Sequence, residues 1–342
     1  MKLILKRKRI QDILLGDFLG SDIVLADKTK LDKGTVITAA LLEQLKHNRV
    51  PSVIVETAEE ETSDPFSKTD RLQQMILQLQ EKEMDHQATY KRSMEKHFYT
   101  NLSYIAFEYR YGKLLYEEES IRFLKDLYIK SLKTMGRSSL WHMLEQRDPY
   151  AFIHSLDVFV IGTMLAYHMN VVQLELCATG YLFHDIGKLD IPREILDKTT
   201  SLTKEEYEIV QTHTVKGETL LHQAGEPLLG RYARSHHERL NRQGYPDGAY
   251  LPELGVDLQI LAVVDTFSAL TLSRTYREVL PAAEAIQLML EMSEAYPKKI
   301  VKKLAQLMHI FPNDKKTLQL DDVMLDKYTN ESYMEIGWKQ KP

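Results

Sequence analysis

Apolar and polar positions change pattern three times along the chain. In residues 1–56, short Val/Ile-rich runs ("DIVLAD", "GTVI" and "PSVIVE") are separated by turns, and "ALLEQLKHN" between the last two has helical spacing. This predicts a small α+β module. "TAEEETSDPFSKTD", residues 57–70, is acidic and polar with a proline and reads as a linker. From Leu72 to about residue 133 the period is helical, with Leu72, Met75, Ile76 and Leu79 on one face. The heptad fails after Leu79, so an amphipathic helix packed on its own domain fits better than a coiled coil. Residues 57–133 are therefore expected to be linker and connecting helices.

Residues 134–310 carry a denser helical series. "HSLDVFVIGTMLAYHM" and "VVQLELCATGYLFHD" are mostly apolar without strand-type alternation, which predicts core helices. "LTKEEYEIVQTHTVKGETLL" opens with Thr203 and Glu206 in capping-box spacing. "DLQILAVVDTFSALTLSRTYR" and "AAEAIQLMLEMSEAY" continue the pattern, and no internal repeat is visible. Residues 311–342 are mixed and receive no role. The fold class expected is mainly α, with the small α+β module at the N-terminus.

Composition narrows the function classes. The chain has 342 residues, 44% apolar and 27% charged, as soluble globular proteins do. A formal charge of −5 gives no electrostatic footprint for duplex nucleic acid. The single cysteine, Cys177, excludes an intramolecular disulfide and a multi-thiolate metal site, which suits a reducing cytosol. The apolar part of "MKLILKRKRIQD" is too short for a signal sequence, and no run reaches the roughly 18–20 apolar residues of a membrane span. A cytoplasmic location is the expectation.

The chemistry-bearing residues lie in the apolar helical region, at or near the ends of its segments. They are His154, the adjacent His184 and Asp185, His213, the adjacent His236 and His237, and Asp265. Each alone has a structural explanation: a satisfied core histidine, a helix cap, a surface pair. Together in one apolar bundle they would be strongly destabilising unless something binds them. Neutral imidazole and carboxylate are natural ligands of divalent metals, and removing that penalty is what a metal would do. No GxSxG nucleophile elbow and no GxxxxGKS phosphate loop is present.

Five segments, "DPYAFIHS", "HDIGKLDIP", "QTHTVKGETLL", "HHERLNRQGYPDG" and "AVVDTFSALTLSRTYR", resemble in order and spacing the HD-GYP subgroup of the HD phosphohydrolase superfamily, over residues 148–285. The resemblance implies an all-helical HD-type bundle as an output domain and hydrolysis of cyclic di-GMP to pGpG and GMP. It makes His154, His184, Asp185, His213, His236, His237 and Asp265 metal ligands, with Asp185 bridging. Some members hold a third metal with a Glu where this chain has Tyr150, so two divalent ions are expected, Fe or Mn first, with Zn, Ni or Co as competitors. Two such ions outweigh two carboxylates and a bridging hydroxide, leaving a positive hole for a phosphodiester, with Asp185 and Lys188 in the catalytic roles. Arg274 and Arg277 match positions that grip the dinucleotide phosphates, and Gly244, Tyr245 and Pro246 form the GYP loop. That loop is also the expected contact for diguanylate cyclase-type domains, and a homodimer is a further expectation.

The chain departs from the family pattern at four places: Asn241 and Arg242 replace Asp and Gly, Ser268 stands where a second Asp is common, and Thr275 stands where Pro is common. None is a predicted ligand. Arg242 at a position of usual backbone freedom predicts a strained turn, against the alternative of an added phosphate contact. Two other readings stay open: an HD-type enzyme for another nucleotide, and a cyclic-dinucleotide-binding or interaction module without turnover.

Overall fold

An N-terminal strand pairs with the last strand of the first module and closes it. The structure, a computed structural model, describes residues 3–310 apart from 11–12, 14–16, 26–27, 49, 51, 59–70, 84–89, 199 and 273–279. Strands β1 (Leu3–Arg9), β2 (Phe18–Leu19), β3 (Ile23–Val24) and β4 (Lys30–Leu31), helix α1 (Ala39–His47) and strand β5 (Ser52–Ala58) make up the module. Its sheet is antiparallel in the order β1–β5–β2, registered from Leu3 opposite Ala58 to Arg9 opposite Ser52. β3 and β4 form a separate hairpin. "GTVI" supplies only an isolated bridge, Val36 to Phe18, while β1 lies in the basic segment that the Val/Ile criterion passes over. Thr38 caps α1 through the Leu41 N–H. Leu19, Ile37, Leu45, Val53 and Val55 are wholly buried in a core of the module's own.

The rest is helical. It comprises α2 (Arg71–Glu83), α3 (Tyr90–Ile105), α4 (Glu108–Tyr111), α5 (Glu118–Ser131), α6 (Met135–Arg147), α7 (Pro149–His168), α8 (Leu174–Phe183), a 3-10 turn (Ile186–Asp190), α9 (Arg193–Leu196), α10 (Lys204–Gln211), α11 (His213–Gln223), α12 (Pro227–Ser235), a second 3-10 turn (Leu251–Leu254), α13 (Val256–Thr271), α14 (Ala282–Glu291) and α15 (Lys298–Met308). One hydrophobic core runs from Leu72 to Met308 and crosses residue 134 without interruption, so α2–α5 share it with the later helices.

Helix α7 is the axis. Asp148 caps it through the Ala151 N–H, Pro149 opens it, and every residue from Ala151 to Ala166 is buried, as an all-round apolar helix requires. Among the described residues it is the one helix long and apolar enough to cross a membrane, which the sequence reading had not anticipated; 89% of its apolar window is buried inside the fold. It packs on α3, α6, α8, α13 and α15. α8 and α13 are also largely buried, and each packs against α7.

Local chemistry then bends the chain toward the centre. The Thr203–Glu206 capping box forms in both directions and starts α10. The long segment after it is two helices, broken at Thr212, whose hydroxyl donates to the Ile209 carbonyl. The break turns His213 inward as the first residue of α11. Gly187 lets the first 3-10 turn lie directly on α11: a Cβ there would overlap the His213 carbonyl.

Candidate metal centre

Five elements bring the seven predicted ligands together. His154 comes from α7, His184 and Asp185 from the end of α8, His213 from the start of α11, His236 and His237 from the turn after α12, and Asp265 from α13. All seven are buried. Asp185 lies in the middle with its two oxygens facing different partners. Oδ2 is 3.8 Å from His154 Nε2 and 3.5 Å from His184 Nε2, while Oδ1 is 3.4 Å from His213 Nε2 and 3.7 Å from His236 Nε2. Asp265 Oδ1 stands 3.0 Å from His154 Nε2 and 3.6 Å from His184 Nε2, and its Oδ2 is 3.9 Å from His237 Nδ1.

The donor set fits divalent metal. Ligand atoms that each sit about 2.0–2.2 Å from one ion are a little over 3 Å from each other, the spacing found here. His184 Nε2, both oxygens of Asp185 and His237 Nδ1 are buried without a hydrogen-bond partner among the described residues, a cost a folded chain rarely tolerates without a ligand. Lys188 Nζ approaches Asp185 Oδ2 at 2.8 Å as an ion pair, from the same turn.

Second-layer contacts fix which nitrogen points inward. His184, His213 and His236 donate Nδ1–H to the carbonyls of Tyr181 (2.8 Å), Val210 (2.7 Å) and Ala233 (2.8 Å). A carbonyl only accepts, so each Nε2 is left with its lone pair toward the centre. Burial drives His213 down to about 4 and holds His236 and His237 well below the usual imidazole range, so these three are neutral near pH 7. Burial alone would raise both carboxylic acids. Lys188 and the histidines around Asp185, and His154, His184 and His237 around Asp265, outweigh it and keep both well below the ordinary range. Burial likewise opposes charge on His184, but the two aspartates prevail and raise it.

The loop residues flank this cluster. The Tyr245 ring lies over His237 at 4.5 Å and 22°, and the Tyr245–Pro246 bond is cis. Gly244 is required by contact: a Cβ would meet the backbone of His237 and Glu238. Glu238 accepts from the Asp247 N–H (2.8 Å), and Arg234 grips the Asp247 carboxylate at 2.8 and 2.7 Å, which ties the loop to α12. Arg242 has φ 59°, the left-handed region, and its exposed side chain lies over Tyr250 and 3.7 Å from Glu253. The turn expected to be strained is strained, and the described contacts of Arg242 are not with the cluster. Arg274 and Arg277 lie outside the described residues.

Three residues escaped the motif reading. Ser268 Oγ is 2.9 Å from His154 Nδ1. Arg239 is buried, donates to the carbonyls of His236 and Glu238 (both 2.9 Å) and lies over the Tyr296 ring. The Tyr150 ring stacks parallel to His154. Ser268 and Tyr150 left a signal as departures from the family pattern, and Arg239 left none.

Residues 163–300 match the HD domain family model. The chain is 29% identical over 195 residues to 3'3'-cGAMP-specific phosphodiesterase 3 of Vibrio cholerae serotype O1, covering 56% of this chain and 42% of that protein. It is 34% identical over 152 residues to 3'3'-cGAMP-specific phosphodiesterase 1 of the same organism, with 43% and 35% covered. A cyclic di-GMP phosphodiesterase of Thermotoga maritima is 32% identical over 169 residues, with 48% and 46% covered. The matches thus span less than half the length of these curated relatives. Taken with the converging motifs, these similarities support an HD domain of the HD-GYP type over the matched region.

Proposed function

We propose that the chain is a metal-dependent phosphodiesterase that opens a cyclic dinucleotide, cyclic di-GMP in the first instance, to the linear pGpG and onward to GMP. The observation that carries the reading is Asp185, a buried carboxylate whose two oxygens each face a different pair of imidazoles. That arrangement suits two divalent ions, Fe or Mn first, sharing one carboxylate. When bound, such a pair makes hydroxide available from water near neutral pH and neutralises phosphate charge.

The chain's own residues do the rest. His154, His184 and Asp265 would hold one ion and His213, His236 and His237 the other, with Asp185 common to both. The hydroxide oxygen bonds to phosphorus, the P–O3′ bond breaks, and the 3′ oxygen takes a proton, leaving a 5′-phosphate on the linear product. Lys188, beside Asp185, offers an ammonium to the phosphate or to the attacking water. Tyr245 and Pro246 would form a wall of the substrate site, and Arg274 and Arg277 would grip the outer phosphate. A cytoplasmic setting suits the nucleotide substrate and the single, buried Cys177.

A second reading has a specific observation behind it: two of the relatives are named as specific for 3'3'-cGAMP. Incubating Mn-loaded protein with cyclic di-GMP, 3'3'-cGAMP and cyclic di-AMP separately, and resolving the products, decides between them. Linear pGpG formed fastest from cyclic di-GMP supports the first reading. Faster opening of 3'3'-cGAMP replaces it with the second. Tight binding of either nucleotide without any product makes the domain a binding module.

A further inference from the structure

The two halves of the centre are not held alike. On one side, His213 and His236 are each locked by an acceptor-only carbonyl, and their Nε2 atoms face each other at 3.1 Å. Two lone pairs at that distance repel, so this half is poorly satisfied until an ion or a proton lies between them. On the other side, His154 has a different partner: Nδ1 meets the hydroxyl of Ser268 at 2.9 Å, and Nε2 meets Asp265 Oδ1 at 3.0 Å with hydrogen-bond geometry. A hydroxyl donates or accepts as required. Where the Asp265 carboxylate accepts from His154, the hydrogen is on Nε2 and Ser268 donates to Nδ1. To offer Nε2 to an ion, the hydrogen must be on Nδ1 and Ser268 must accept. Ser268 satisfies both arrangements, which no backbone carbonyl can do.

From this asymmetry we propose that Ser268 is a positioning residue that supports His154 in both arrangements without locking it, so that the His154–His184–Asp265 half fills reversibly and more weakly than the carbonyl-locked half. The His213–His236–His237 half fills first and tightly. The inference rests on the metal-binding part of the function above and is independent of which nucleotide is hydrolysed. Ser268 is buried on α13 and touches His154 through its hydroxyl, so it acts on the ion only through that ring.

The test titrates metal-free full chain with Mn²⁺, following heat by calorimetry and free Mn²⁺ by electron paramagnetic resonance. The wild type should bind in two resolved phases. In Ser268→Ala the Nδ1 partner is gone, and the weak phase should weaken by about 10- to 100-fold, the range for lost second-layer contacts to metal-binding histidines. In Ser268→Asp an acceptor-only carboxylate fixes the hydrogen on Nδ1, and the weak phase should tighten toward the strong one. The strong phase should stay put in both. Circular dichroism of the metal-free variants checks folding, and Ser268→Ala, which only removes an atom, keeps the test available if the aspartate variant does not fold. Weak phases that match wild type in the alanine variant, or a shift confined to the strong phase, would overturn the proposal. A wild type that binds no Mn²⁺ would overturn the metal centre itself, whereas two clean phases with no nucleotide turnover would leave Ser268's role intact and remove only the enzyme reading.

Discussion

Helix α7 carries two buried polar clusters one turn apart, and they are built on opposite logic. At Asp157 the carboxylate is closed off by protein: Arg110 from α4 grips both oxygens, Tyr111 donates to one of them, and Arg110 Nε donates to Thr271 Oγ1 at 2.9 Å. Beside His154, His184 Nε2, Asp185 Oδ1 and His237 Nδ1 converge without a hydrogen-bond partner among the described residues. Both clusters are buried and charged, so burial does not distinguish them. What does is whether the donors and acceptors are used up. A saturated buried pair fastens helices together, and an unsaturated buried set awaits a ligand.

The largest consequence falls on the saturated cluster. Replacing Asp157 by Ala strands the Arg110 guanidinium in the core, which costs about 3–5 kcal/mol when one partner of a buried pair is removed. Urea unfolding should show that loss, while metal bound per folded molecule stays at the wild-type value. A loss of metal equal to that of a ligand variant would mean that the two clusters are one.

The open cluster should be told apart by its response to metal. Metal-free Asp185→Asn should lose stability, because the buried Lys188 ammonium loses its 2.8 Å partner. Mn²⁺ at a hundred times its dissociation constant should stabilise the wild type by about 2.7 kcal/mol and the variant by much less, measured by the same unfolding curves. If Mn²⁺ stabilises Asp185→Asn as much as it stabilises the wild type, the carboxylate is structural.

Lys188 belongs to the open cluster without being a ligand. Lys188→Met should lower kcat/KM by roughly ten- to a hundredfold, as loss of a charged contact worth about 1.5–3 kcal/mol does, with metal stoichiometry near wild type. Loss of metal instead would place Lys188 in the support of Asp185 and outside the chemistry. The smallest effect concerns the loop. Arg242→Gly relieves a left-handed residue and should gain about 1 kcal/mol of stability, with the Glu253 contact too exposed to offset it. A loss on that change would show that the Tyr250 stacking outweighs the strain.

The contrast also explains what the sequence could reveal. The residues of the cluster were legible because imidazole and carboxylate in apolar helices are expensive, and five motifs in a known order said where to look. Asp157 and Arg110 were not: "HSLDVF" shows a carboxylate in an apolar run, but its partner is forty-seven residues away on a four-residue helix. Sequence spacing does not encode that meeting; packing of α4 on α7 and α13 does. The same holds for Arg239, whose platform Tyr296 lies beyond α14, and for Ser268, which read as a missing acid until its hydroxyl was seen against His154. The strand β1 was hidden by its lysines and arginines, since pairing with β5 depends on backbone and alternation more than on Val and Ile. The break at Thr212 was missed because both flanking segments have a helical period.

The central claim is that Asp185 is shared by two ions, and elemental analysis tests it most directly. Anaerobically purified wild type dialysed to equilibrium against excess Mn²⁺, with the free ion subtracted, should carry two ions per chain, and Asp185→Ala should carry fewer than one, because both halves lose a common ligand. Two ions per chain in the Asp185→Ala protein would contradict the account.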